Sequence, residues 1–346
     1  MADYQPGIAQ QDLALIADRC AADVVEGLRG RHLFVTGGTG FFGCWLLEAL
    51  LWLDRVHGLD LRLTVLSRQP ERFRRNVPGL AAHPALRLAQ GDVREMAGLH
   101  GRYDIVIHAA TDVTASAAGP KETFDAIVRG GEQALALARR SGAARFLLTS
   151  SGAVYGRQPP GLTHVPEDYP GAPAPTDVRS AYGQGKRVVE WLGACERQAG
   201  GLDVQIARCF AFLGPYQPLD APFAAASFLR DILGGTPVRV NGDGRAVRSY
   251  LYAADLAIWL LTILVRGDGQ PYNVGSPERI SIAGLATRMS TVLNGRDDST
   301  VLGIPVPGAP AEQYVPDVAR AAALGLSVCT PLDDAIRRTA AWHRPV

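Results

Sequence analysis

The chain has 346 residues, 47 % hydrophobic and 20 % charged, with a net charge of +1. That length allows a large core, burying about three quarters of the unfolded surface. The balanced charge leaves no electrostatic footprint for nucleic acid, the longest apolar run (residues 258–265) is too short to span a membrane, and the first residues lack the segments of a signal peptide.

In chain order, residues 10–28 read as one helix, with Leu13, Ile16, Ala17, Val24 and Leu28 near helical spacing. It precedes the first strand and is expected to be a capping extension. Strands are expected at 33–36, 63–66, 86–88, 105–108, 146–150 and 204–209. Helices are expected at 41–56, 122–141 and 180–198. Short apolar strands alternating with helices imply a parallel sheet covered on both faces. After Phe210 the texture changes, with more Pro and Gly. A helix at 251–265, a strand at 272–274 and a last helix at 332–342 follow. The Pro-rich stretch 159–175 is expected to be an ordered loop over the site. Cys20, Cys44, Cys195, Cys209 and Cys329 are scattered, with no Cys-x-x-Cys. They read as free buried thiols in a reducing, cytoplasmic setting.

The first strand runs into Gly37-Gly38-Thr39-Gly40-Phe41-Phe42-Gly43 and then a helix. In that setting Gly37 allows the tight turn, Gly40 lets backbone approach a pyrophosphate, and Gly43 lets helix pack on strand. The helix N-terminus offers free N–H groups to the anion. The expected fold is therefore α/β, a Rossmann doubly wound parallel sheet with a smaller, discontinuous C-terminal substrate domain. Residues 1–30 form the N-terminal helical extension. Residues 31–212 with 251–275 form the dinucleotide-binding domain, and 213–250 with 276–346 the substrate domain.

The second strand ends in Ser67-Arg68, where NAD-specific folds place a carboxylate. Arg68 can pair with a 2′-phosphate instead, which favours NADP over NAD; a solvated loop residue is the plain alternative. Asp92 is expected to accept from the adenine amino group, or else to cap the next turn. His108 reads as structural, and Ala109 as small enough to let a dinucleotide lie close. The candidate cofactor contacts are Gly37, Gly40, Phe41, Phe42, Gly43, Ser67, Arg68, Asp92, Val93, Ala109 and Lys186.

Lys121 and Lys186 are the only lysines. Lys186 stands four residues after Tyr182, a spacing that arises by chance in about 6 % of such chains. On a helix the two share one face. A phenol of pKa about 10 is too weak a base at neutral pH, and a nearby ammonium is expected to lower it. Tyr182 can then move a hydroxyl proton as hydride leaves or returns, and Ser151 can hydrogen-bond the same oxygen. No metal constellation is visible.

Together these residues resemble the extended short-chain dehydrogenase/reductases, the NAD-dependent epimerase/dehydratase family acting on nucleotide sugars. The resemblance extends through residues 208–215, Asn241-Gly242-Asp243-Gly244, Arg248, Tyr252, Asp255, Tyr272-Asn273-Val274-Gly275, and Tyr314-Val315-Pro316-Asp317 with Arg320. It implies that Ser151, Tyr182 and Lys186 are catalytic and that Ser151, Tyr182 and Arg248 bind substrate. Arg248 would contact the diphosphate, the smaller domain would hold the nucleotide, and two helices (122–141 and 180–198) would form a homodimer. Three departures carry information. Gly152 and Ala153 stand where dehydratases and decarboxylating relatives usually supply an acid. Ala211 replaces the usual Asn. Ser67-Arg68 replaces the acidic selector. The pattern implies a nucleotide-sugar epimerase acting through a 4-keto intermediate. The alternatives are an NADPH-dependent reductase of a nucleotide-linked 4-keto sugar and a non-catalytic dinucleotide-binding sensor. The sensor would not need Ser151, Tyr182 and Lys186 together.

Overall fold

Strands that are apolar on both faces need cover on both faces, and the chain supplies it by alternating them with helices. The computed structural model describes residues 5–111 and 119–344. Its main sheet comprises His32–Thr36 (β1), Arg62–Ser67 (β2), Leu86–Gln90 (β3), Ile105–His108 (β4), Arg145–Ser151 (β5), Asp203–Cys209 (β6) and Pro271–Val274 (β7). All seven run parallel, in the order β7-β6-β5-β4-β1-β2-β3. The order reverses between β1 and β4. In open sheets of this kind ligands bind beyond the carboxyl ends at that switch point. The expected doubly wound sheet is present, with strand ends within one or two residues of those read from sequence.

Alternation along β1 assigns its side chains to two cores. Leu33 and Val35 join one cluster, with Trp45, Tyr252 and Trp259 from the helices Phe41–His57 and Ala253–Arg266 and the residue before the latter. Phe34 joins the other, with Phe146, Leu148, Leu135 and Val189 beside the helices Pro120–Ser141 and Ala181–Ala199. Each fully buried large apolar side chain contributes about 1.5–3 kcal/mol. Gly131 lets the last two helices close up: a Cβ there would sit 2.6 Å from the Val189 methyls.

The single helix expected at the N-terminus is two, Gln10–Arg19 and Ala22–Leu28. Cys20 and Ala21 between them are extended, with ψ 114° and 153°. The break turns the chain so that Leu13 and Ile16, then Val24, Val25 and Leu28, all bury in the same cluster. The extension is also tied by polar bonds. Asp12, fully buried, accepts from the Tyr252 hydroxyl at 2.8 Å and from Arg338 at 2.6 Å. Glu48 accepts from the Gly7 N–H at 2.7 Å and the Tyr216 hydroxyl at 2.6 Å. Trp342, in the last helix Leu332–His343, donates to the Gly7 carbonyl at 2.7 Å. Replacing Asp12 by Ala is expected to destabilise the fold by about 3 kcal/mol, because it strips the acceptor from a largely buried arginine. Urea unfolding checks this; a midpoint equal to the parent's would refute it.

The helix expected from residue 251 begins at Ala253. Leu251–Tyr252 is instead a short strand paired in parallel with Phe212–Leu213, which draws those residues out of the helix. Farther on, Val247–Arg248 pairs with both Ile280–Ser281 and Gln313–Tyr314. Segments on either side of β7 in sequence thus share one small sheet. The stretch 159–175 is held in place: Val165 bridges Pro316, and Gln158 accepts from the Val315 N–H at 3.0 Å. Residues 1–4, 112–118 and 345–346 of the expected domains lie outside the described residues. All five cysteines are free; Cys20, Cys44 and Cys209 are buried as expected, but Cys195 is exposed because it faces outward from its helix. Among the described residues no helix is long and apolar enough to cross a membrane, and no cluster of His, Cys, Asp and Glu is arranged to hold a metal ion.

Candidate active site

The glycine loop sits at the switch point. Gly37 has φ +70°, a left-handed conformation that favours glycine, and a Cβ there would lie 2.5 Å from the Ala109 backbone. A Cβ on Gly43 would collide with the Gly37 carbonyl and Gly38. Gly40 differs: its missing side chain would meet only the Gly37 carbonyl, at 3.4 Å. That glycine leaves an open cradle over the N-terminus of the helix Phe41–His57, a setting that fits a dinucleotide pyrophosphate. Phe41 and Phe42 begin the helix, and Phe42 meets Phe212 edge-on at 5.0 Å.

The other expected cofactor residues gather along the same edge. Ser67 ends β2 and its hydroxyl accepts from the Gln69 N–H at 3.2 Å. Arg68, Arg72 and Arg75 line a cleft of about 320 Å³ with Gln69, Glu71 and Gln90. Asp92 caps its own turn through the Arg94 N–H at 2.9 Å and pairs with the Arg94 guanidinium at 2.7 Å. Those bonds hold its carboxyl down to about 2, with help from Arg68. Val93 packs half-buried against the second core. His108 is buried, its Nδ1 2.9 Å from the Thr36 hydroxyl, and burial pushes its pKa down to about 3. It is a neutral structural residue, as read from sequence.

Ser151, Tyr182 and Lys186 come together at the carboxyl end of β5. Ser151 is the last residue of that strand, and its hydroxyl accepts from the Ala153 N–H at 3.1 Å. Tyr182 and Lys186 lie in the first two turns of the helix Ala181–Ala199. Ser151 lies close enough to the Tyr182 hydroxyl to favour its ionised form. The Lys186 ammonium lies 5.8 Å from the centre of the Tyr182 ring and donates to the Thr111 hydroxyl and the Thr149 carbonyl, both at 2.7 Å. One expectation is corrected. Burial raises the Tyr182 phenol to about 12, and nearby Ser151 only partly offsets it. The ammonium is hydrogen-bonded to Thr111 and Thr149 rather than to the phenol, and burial is the larger effect. Burial in turn lowers Lys186 to about 8, against the opposing pull of Cys209 and Glu190.

Two residues without a role assigned from sequence belong to this group. Thr111 receives the Lys186 proton donor. Tyr314 places its hydroxyl 3.3 Å from the Ser151 hydroxyl and donates to the Cys209 carbonyl. Its ring packs on Phe210 at 4.6 Å and lies 5.9 Å from the Arg248 guanidinium. Arg248 pairs loosely with Glu312 at 3.4 Å. A cleft of about 470 Å³ opens beside this sheet, lined by Asp220, Phe223, Arg230, Arg239, Asn241 and Asp243 among others.

A glycine loop at the switch point, with serine, tyrosine and lysine meeting at β5, is the arrangement of an enzyme of the short-chain dehydrogenase type. The model of the NAD dependent epimerase/dehydratase family matches residues 33–275, and the chain belongs to that family. It is 31 % identical over 271 residues to UDP-glucuronic acid decarboxylase 1 of Arabidopsis thaliana, covering 78 % of this chain and 60 % of that protein. It is 30 % identical over 265 residues to decarboxylase 3 of the same plant, covering 76 % and 75 %. Among solved structures it resembles the UDP-N-acetylglucosamine 4-epimerase of Methanobrevibacter ruminantium M1, with TM-score 0.76, 21 % identity and coverage of 91 % and 98 %. The dTDP-glucose 4,6-dehydratase DesIV of Streptomyces venezuelae gives TM-score 0.74, 25 % identity and coverage of 90 % and 96 %.

Proposed function

We propose that the protein is a nucleotide-sugar epimerase that acts through a 4-keto sugar, with Ser151, Tyr182 and Lys186 as its catalytic group. One observation carries the reading: the three side chains meet at the end of β5, and the two residues after the serine, Gly152 and Ala153, carry no acid. The resemblance puts that acid just after the serine in dehydratases and decarboxylases. Here the first position is Gly152, and a Cβ on it would lie 2.7 Å from Phe210 and 2.9 Å from Tyr314. A side chain has no room there, so proton delivery to a departing hydroxyl lacks its usual source.

A nicotinamide dinucleotide, when bound over Gly37, Gly40 and Gly43, supplies the hydride acceptor and donor. Tyr182 takes the proton of the sugar 4-hydroxyl and returns it, while Ser151 hydrogen-bonds the same oxygen. A phenol near 12 stays protonated at neutral pH, ready to donate to the carbonyl oxygen as hydride arrives. In this reading Arg248 holds the diphosphate, because its fork matches phosphate oxygens, and the 470 Å³ cleft takes the nucleotide. The domain boundaries proposed from sequence suit this division. We further propose a cytoplasmic homodimer through the helices Pro120–Ser141 and Ala181–Ala199, on which Trp191 is 65 % exposed.

The arginine cleft at Arg68 favours a second reading, an NADPH-dependent reductase of a nucleotide-linked 4-keto sugar. The purified protein with UDP-, GDP-, CDP- and dTDP-sugars decides between them. Epimer formation without net cofactor consumption supports the first reading; stoichiometric NADPH oxidation on a keto sugar supports the second; carbon dioxide release from a uronic acid overturns both. Arg68→Ala is expected to weaken NADP binding about tenfold or more, the value of one hydrogen bond to a charged group, while leaving NAD binding unchanged. Equal losses for the two dinucleotides in a titration would remove the 2′-phosphate assignment.

A further inference from the structure

One buried ion pair beside the catalytic group has no part in the chemistry above. Glu190 stands one turn beyond Lys186, as Lys186 stands one turn beyond Tyr182, so the three share a stripe of one helix. Its carboxylate accepts from the Ser150 hydroxyl and from Arg208, at 3.1 and 3.2 Å through Nε and 2.7 Å through the terminal nitrogen. Only 14 % of the Arg208 side chain and 11 % of the Glu190 side chain are exposed. Ser150 and Arg208 face each other across the β5–β6 ladder, in the register step just before Ser151 and Cys209. The other arm of Arg208 donates to the Tyr155 hydroxyl and the Glu167 carbonyl, both at 2.9 Å. Tyr155 donates onward to Asn273 at 2.7 Å, and Asn273 holds the Val165 and Asp317 carbonyls. One guanidinium therefore links β5, β6, β7, the Tyr182 helix and the loop at Val165–Glu167.

A buried ion pair is a weak source of stability, since apolar residues of like volume do as well. What it supplies is direction, through a planar fork that fixes the carboxylate in two hydrogen bonds at once. We propose that Glu190 and Arg208 are a positioning pair that locks the helix bearing Tyr182 and Lys186 in register with the strand bearing Ser151. A small slip of that helix would pull Lys186 from the Thr149 carbonyl and Tyr182 from Ser151. Misplacement by about 1 Å costs about 10²-fold in rate. The proposal leans on the functional reading above for its kinetic readout alone.

Glu190→Asp tests it by keeping the charge and withdrawing it by one methylene. The expected result is a thermal midpoint close to the parent's, kcat lower by about ten- to a hundredfold, and KM little changed. Amide hydrogen exchange should quicken at residues 186–190 and 165–167. Glu190→Gln removes the charge as well. Lys186 is faced by Glu190 and Tyr182 from its own helix, by Cys209 from β6 and by His108 from β4. Loss of the one carboxylate among them should move the alkaline limb of kcat/KM to lower pH. Parental kcat and parental exchange in Glu190→Asp would overturn the proposal. So would a loss of kcat that merely tracks lost thermal stability, with exchange quickened throughout the chain. If the parent transfers no hydride from any nucleotide sugar, the functional reading falls instead, and the exchange data alone decide on the pair.

Discussion

Replacing Tyr182 by Phe is expected to lower kcat by about 10²–10⁴-fold, the range for losing a positioned proton donor and acceptor. The ring keeps its packing against the second core, so thermal stability and dinucleotide affinity should stay near the parent's. The reason is local. Ser151 cannot take over, because its hydroxyl is engaged by the Tyr314 hydroxyl and the Ala153 N–H, neither of which is a base at neutral pH. Steady-state kinetics on the best nucleotide sugar, with dinucleotide titration on the same sample, gives the result. Near-normal turnover in this variant would remove both the epimerase and the reductase readings.

Lys186→Met carries the second large effect, an expected loss of about 10²–10³-fold in kcat, typical of removing one preorganised charge or donor. Stability should not follow activity down. A buried ammonium is disfavoured by its surroundings, which is why Lys186 is lowered to about 8 from a usual value near 10.4. The pH dependence has two opposite signs. For activity, the ammonium is present below about pH 8 and lost above it, so kcat/KM of the enzyme should decline on the alkaline side. For stability, the native state has released that proton between about pH 8 and 10.4 while the unfolded chain still binds it. Stability from this residue therefore rises with pH across that window. Lys186→Met should abolish both trends. An unchanged alkaline limb in the variant would show that another group controls it.

The parts legible in the sequence were those written over short spans. The apolar runs of β1, β4 and β5 need no partner to be recognised, and neither do three glycines between a strand and a helix. Tyr182 and Lys186 are one turn apart, so a spacing of four places them together. The remainder depended on distance along the chain. Tyr314 reaches Ser151 across 163 positions and Arg208 reaches Glu190 across 18. No local pattern records either meeting. The break at Cys20 and Ala21 carries neither Pro nor Gly; it follows from where Leu13 and Val24 must bury. Tyr182 was misjudged electrostatically because a sequence shows the neighbouring charge but not the burial, and here burial is the larger effect.

The bond from Trp342 to Gly7 and the bond from Arg338 to Asp12 join the helix Leu332–His343 to the helix Gln10–Arg19 and the residues just before it. Tips of domains ordinarily fray at little cost. Here neither of these two helices comes away without the other. Peeling away the last helix strips the guanidinium from a carboxylate that is sealed from water, and peeling away the first strips the carboxylate from the guanidinium and from Tyr252. Loosening at either extremity therefore reaches directly into the packing of the helix that follows Tyr252, behind the sheet. A force that pulls on one of these helices must overcome the hold of both.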